Sequence, residues 1–130
     1  MTTSVSQIFA IMIGGAIGAA MRFIVSNGIY KLLGREFPYG TLAVNVIGSF
    51  LMGLLTVVLL ERGDFDPLIK LAILVGFLGS FTTFSTFSMD TLTLINEGAL
   101  SRAFLNMISS VIVCVTAVWL GMILAKQLPN

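Results

Sequence analysis

The sequence predicts an all-α integral membrane protein, a single domain over residues 1–130 made of four transmembrane helices, the third broken near its middle. Three observations predict it. The chain is 57% hydrophobic and only 10% charged, where an ordinary soluble domain is about 25% charged. Four apolar segments can be marked, Val5–Ser26, Thr41–Leu60, Leu68–Ile95 and Phe104–Leu128, each near the roughly 20 residues that span hydrocarbon as a helix. The third is unlike a lipid-facing helix at its centre, where Gly76 and Gly79 precede six hydroxyl residues in the nine positions from Ser80 to Ser88. Non-helical backbone at membrane depth is tolerated only where protein or water satisfies it. A broken helix lining something polar is therefore expected, with a kinked packing helix whose hydroxyls bond their own i−4 carbonyls as the alternative.

Composition excludes several function classes. Met1 to Gln7 carries no Lys or Arg, so the first segment reads as a span and not as a signal peptide. Cys114 is the only cysteine and falls within the fourth segment, which argues against an intrachain disulfide or a cysteine metal site. Histidine is absent, and with it the commonest proton shuttle and metal ligand. No P-loop, HExxH, GxSxG or dinucleotide fingerprint occurs, so an enzyme is not expected.

Segment one carries Gly14 and Gly18 as a GxxxG, with Gly15 and Ala19 one position along. Small residues at this spacing let two helix backbones approach closely. Arg22 lies four residues beyond Gly18, on the same face, and is expected to point into the assembly, where it meets helix-end carbonyls or attracts an anion. Residues 26–40 read as a loop, broken by Gly28, Gly34 and Pro38. In segment two, Thr41, Asn45 and Ser49 are spaced i, i+4, i+8 and form one polar stripe. Asn45 offers two donors and an acceptor, costly to bury unpaired in hydrocarbon.

Glu61 to Pro67 is a short polar loop. In segment three Phe84 and Phe87 share a face, which Thr91 continues, while Thr83 and Thr86 share another and Ser85 and Ser88 a third. Asp90 is read as lying near the far interface, with a coupling site as the alternative. Asn96-Glu97-Gly98 places a glycine at the usual helix stop. Segment four carries Asn106, Ser110 and Cys114 at i, i+4, i+8, a second polar stripe.

Four spans put both termini on one side, with Arg62, Lys70 and Lys126; the other side holds Lys31, Arg35 and Arg102, Arg22 being set aside as buried. Orientation follows the Lys/Arg excess in short loops, and here the sides balance. Such a chain can insert both ways, which permits an antiparallel, dual-topology homodimer with a polar path at its interface.

Together these residues resemble the CrcB/Fluc family of fluoride channels along essentially the whole chain. The resemblance rests on Gly14-Gly15 with Gly18-Ala19 and Arg22, on Gly40-Thr41-Leu42 with Asn45, and on Gly76-Phe77-Leu78-Gly79 followed by Thr82-Thr83-Phe84-Ser85-Thr86-Phe87-Ser88. It implies a multi-pass protein of the bacterial cell or inner membrane that exports fluoride passively through two pores per antiparallel homodimer. It implies that Phe84 and Phe87 are the pore phenylalanines and Asn45 the pore asparagine. It also implies a central structural sodium ion on backbone carbonyls, carried over to Gly79 and Thr82. The chemistry agrees with this. Fluoride is tightly hydrated, so a pore must replace its water with donors, for which Asn45 and the hydroxyls of Thr41, Ser85, Thr86 and Ser110 are candidates. Phenyl rings have a positive edge, and carbonyls freed by a helix break suit a hard cation. A small multidrug exporter, the main rival, needs a titratable carboxylate within the membrane; segment one has none.

Overall fold

The structure is a computed structural model and describes residues 2–129. Four helices in it are long and apolar enough to cross a membrane: α1 (Val5–Leu33), α2 (Tyr39–Arg62), α3 (Pro67–Asn96) and α4 (Leu100–Gln127). The number and kind of elements are those the sequence predicts. Their limits are not, because helix continues beyond the apolar core at several ends.

α1 opens on a capping box in which the Ser4 hydroxyl accepts the Gln7 N–H and the Gln7 side chain accepts the Ser4 N–H. It then runs seven residues past Ser26, the expected end, through Gly28 to Leu33. Two polar residues are absorbed on the way: the Ser26 hydroxyl donates to the Arg22 carbonyl at 2.6 Å and the Asn27 amide to the Phe23 carbonyl at 2.9 Å. The helix stops at Gly34, whose φ of 84° is a left-handed conformation that favours glycine. The expected loop over residues 26–40 shrinks to the few residues before Tyr39.

α2 closes on a wide π-type turn, Val57–Arg62, and the Arg62 guanidinium then donates to the Ala125 carbonyl near the end of α4. Asp66 caps α3 by accepting the Leu68 N–H at 2.7 Å, with Pro67 at the first helical position. α4 begins at Leu100, four residues before the expected Phe104.

Glycines set the packing. A Cβ on Gly14 would strike the Ala72 carbonyl and one on Gly18 the Phe77 carbonyl, so α1 lies backbone to backbone on the first half of α3. α2 and α4 are matched in the same way, Gly53 against the Val118 carbonyl and Gly121 against the Phe50 carbonyl. These two tight pairs meet over Val44, Val57 and Leu78, which are fully buried. Large apolar side chains such as Phe9, Ile13, Phe23 and Trp119 face outward, as acyl chains allow, since lipid is as apolar as leucine.

Within α3 the helical backbone pauses at Thr82 (φ −85°, ψ 157°) and Thr83 (φ −152°, ψ 116°). The glycines expected to weaken the helix are not where it changes. Gly79 keeps helical angles, φ −61° and ψ −32°. Gly76 serves close packing, because a Cβ there would lie 2.6 Å from the Ile11 carbonyl. Threonine is β-branched and suits extended backbone. Thr83 also has a cap to make, its hydroxyl accepting the Thr86 N–H at 3.2 Å at the start of Phe84–Asn96, the second half of α3.

Candidate functional site

Asn45 and the Thr83 peptide hold each other at two points. The Asn45 amide donates to the Thr83 carbonyl at 3.0 Å, and the Thr83 N–H donates to Asn45 Oδ1 at 2.7 Å. A helix on one side and extended backbone on the other are thus joined as two strands would be. This arrangement changes the hydrogen bonding around it. In an unbroken helix the Thr83 N–H would bond the Gly79 carbonyl and the Thr86 N–H the Thr82 carbonyl. Both N–H groups go to side chains instead, to Asn45 and to the Thr83 hydroxyl. The Gly79 and Thr82 carbonyls therefore lack their helical donors.

Asn45 also lines a groove of about 290 Å³ together with Phe84, Phe87, Ser49, Ser110 and Cys114. The two rings are 5.4 Å apart by centroid and tilted by 41°. Phe84 is 78% exposed and Phe87 is half-buried. One Asn45 amide hydrogen is spent on Thr83; the other has no partner among the described residues and is left for whatever enters the groove.

A second depression, of about 390 Å³, lies on the other side of Thr83, which lines both. Its walls carry Arg22, Arg35, Thr41, Thr86 and Asp90. Here the Thr41 hydroxyl donates to the Asp90 carboxylate at 2.6 Å. With its proton so committed, Thr41 Oγ1 accepts from the Tyr30 hydroxyl at 3.2 Å. Thr86 Oγ1 accepts from the Thr83 hydroxyl at 3.0 Å and keeps its own proton. A third depression continues outward from Arg35 and Asp90 to Glu36, Glu97 and Arg102. There Arg35 stacks over the Tyr30 ring at 4.5 Å and Arg102 donates to the Glu36 carbonyl at 3.2 Å.

The candidate residues of the sequence thus fall into groups. Asn45, Phe84, Phe87 and Ser110 share the first groove, and Arg22, Thr41 and Thr86 the second. Ser85 is exposed and lines neither; its hydroxyl lies 3.4 Å from that of Thr83. Ser110 donates at 3.4 Å to Asn106 Oδ1. Asn106 itself is buried, 1% exposed, and donates to the Thr91 hydroxyl at 2.9 Å. It fastens α4 to α3 while Ser110 and Cys114 face the groove. Back-bonding to i−4 carbonyls accounts for Thr82, Ser88 and Thr91, but not for Thr83 and Thr86. Asp90 sits half-buried between two depressions.

Sequence reasoning left Thr83 and Tyr30 out of the site and preferred a position near the far interface for Asp90. For Thr83 a signal existed, a threonine directly before the residues that restart the helix, the usual capping position. The Asp90–Thr41 and Tyr30–Thr41 contacts join residues far apart in the chain, and no spacing announces them.

Residues 9–122 match the family described as CrcB-like protein, Camphor Resistance (CrcB). The chain is similar to curated proteins named fluoride-specific ion channel FluC. That of Methylococcus capsulatus is 55% identical over 94% of this chain, which spans only 54% of that longer relative. That of Magnetococcus marinus is 51% identical over 92% of this chain and 98% of its own length. That of Pseudoalteromonas translucida is 50% identical over 90% and 98%.

Proposed function

The chain belongs to the CrcB family, and from that premise we propose that this multi-pass membrane protein is a fluoride-specific ion channel and not an enzyme. The name its relatives carry supplies the ion. One observation in the site carries the path: an unclaimed Asn45 N–H beside two phenyl rings in one groove. An amide hydrogen and ring edges are positive without being titratable. They replace the water of a small anion and create no charge that would hold it too tightly to leave.

Passage starts where the depressions begin, at the side holding Arg35 and Arg102. Arg22 and Arg35 raise the local anion concentration, and Asp90, in the same depression, has one carboxylate oxygen occupied by the Thr41 hydroxyl it accepts. The ion then meets the free proton of Thr86, crosses at Thr83, and is handed to Asn45 and the edges of Phe84 and Phe87. Ser110 stands on the far wall of that groove. No step needs a proton gradient or a covalent bond.

The reading includes a third span broken at Thr82–Thr83 and an antiparallel, dual-topology homodimer with two such paths, in a bacterial inner membrane. Support for the pairing comes from the surface: Phe84, Ser85 and Gly79 are exposed at membrane depth, polar backbone beside aromatic rings, which lipid covers poorly. A central structural sodium ion is also part of it, which the Gly79 and Thr82 carbonyls would hold. The donor set fits, because these two carbonyls have lost their helical donors and hard cations take oxygen ligands. Such an ion would supply a fixed positive charge that offsets the field of the anion.

The test is efflux from liposomes holding the purified protein. Fluoride is expected to leave without a proton gradient while chloride stays. Equal fluxes of the two anions would overturn the selectivity, and an absolute need for a proton gradient would favour an exporter.

A further inference from the structure

Four helical hydrogen bonds are missing at the interruption in α3, those of the N–H groups of residues 83–86, and two side chains account for the first and the last. Asn45 Oδ1 takes the Thr83 N–H at 2.7 Å, and the Thr83 hydroxyl takes the Thr86 N–H at 3.2 Å. The carbonyls so released are those of Gly79 and Thr82. We propose that Asn45 and Thr83 are positioning residues for cation binding: Asn45 exposes the Gly79 carbonyl, Thr83 exposes the Thr82 carbonyl, and neither side chain touches the cation. This rests on the sodium reading given above.

The reasoning is one of competition. A peptide N–H at membrane depth must find an acceptor. With Asn45 present, the acceptor on offer to Thr83 is a side chain, and the Gly79 carbonyl is left pointing elsewhere. Without it, the nearest alternative is the helical partner, and the carbonyl is withdrawn from any cation. The same holds for Thr86 if the Thr83 hydroxyl is removed. The donor half of Asn45 secures the arrangement from the other side, through the Thr83 carbonyl at 3.0 Å.

Asn45 is also the residue with a free hydrogen in the groove. A single amide therefore faces the anion path with one group and governs a cation ligand with another. Effects between two such sites are reciprocal in free energy. Fluoride that draws on the free Asn45 hydrogen and sodium that draws on the Gly79 carbonyl bias the same element, the extended Thr82–Thr83 segment.

The experiment measures sodium binding apart from transport. Purified protein in detergent is melted over a sodium series, N-methylglucamine holding ionic strength, and retention of radiolabelled sodium is measured beside it. The wild type is expected to gain melting temperature saturably with sodium. In Asn45→Leu and in Thr83→Val the half-saturating sodium concentration is expected to rise by about tenfold or more, while melting without sodium reports the fold itself. Ser110→Ala, which alters the groove but not the interruption, is expected to lower fluoride flux and leave the sodium midpoint in place. An unchanged midpoint in folded Asn45→Leu or folded Thr83→Val overturns the proposal. Should Asn45→Leu fail to fold, Thr83→Val decides alone. A wild type that neither retains sodium nor responds to it removes the cation site itself, a result distinct from an unchanged midpoint in a variant.

Discussion

Phe84 and Phe87 present two rings 5.4 Å apart to one groove, and what they do there is separable from what they contribute to packing. Leucine keeps most of the bulk and none of the positive ring edge. Were the rings mere filling, Phe→Leu at either position would cost no more than about 1.5 kcal/mol of stability and leave function alone. With edges that solvate an anion, flux per folded protein is expected to fall by about an order of magnitude or more, at nearly unchanged stability. Phe→Ile is expected to behave like Phe→Leu. Fluoride efflux paired with gel filtration checks this, and normal efflux in both leucine variants would return the rings to ordinary packing. Asn45 is a different kind of residue. Its identity and its place in a polar stripe could be read from the sequence, but not its partner, because Thr83 is 38 positions away.

The second half of α3 is held to its neighbours by polar fasteners more than by apolar bulk. Asn45 grips Thr83, Thr41 grips Asp90, and Asn106 grips Thr91, whose own hydroxyl donates to the Phe87 carbonyl at 2.8 Å. Asn106→Leu leaves buried polar groups short of partners and is expected to cost about 1–3 kcal/mol. Adding Thr91→Val removes the hydroxyl oxygen that Asn106 had filled, so the double variant should recover part of that loss. Thermal melts of the single and double variants check it, and strictly additive losses would mean the two side chains are not coupled. This element also marks the limit of what the sequence discloses. Four apolar runs announce four helices, because only helices and closed barrels satisfy their backbone in lipid. Where α1 ends is hidden, since Ser26 and Asn27 look like loop and spend their polarity on carbonyls one turn back. Glycines pointed to the right stretch of α3 but not to the residues that change, because β-branching and a helix cap decide the angles there.

At the scale of the molecule, Gly79 poses a question that the single chain does not answer. It has helical angles and nothing within 4 Å of where a Cβ would stand, so neither strain nor crowding inside the chain requires glycine. Alanine would even favour the helix by roughly 1 kcal/mol. Under the proposed pairing the reason lies in the second copy. Gly79→Ala is then expected to give a stable chain that pairs poorly, seen as a shift from dimer to monomer in photobleaching counts. Undiminished pairing would place the second copy elsewhere. Balanced basic residues make a related prediction. Two or three lysines added to one loop should fix orientation and abolish flux, and an oppositely biased copy should restore it; a single biased variant that stays active would exclude the antiparallel arrangement. The clamp between Asn45 and Thr83 has a consequence for how such an assembly is born. The first and last donors displaced at the interruption, the Thr83 and Thr86 N–H groups, are already rehoused within one chain, by Asn45 and by the Thr83 hydroxyl. Nothing has to unwind when two copies meet. Maturation is then a collision in the plane of the bilayer between finished halves, second order in the number of inserted chains, and a cell expressing few copies would be limited by the encounter and not by folding.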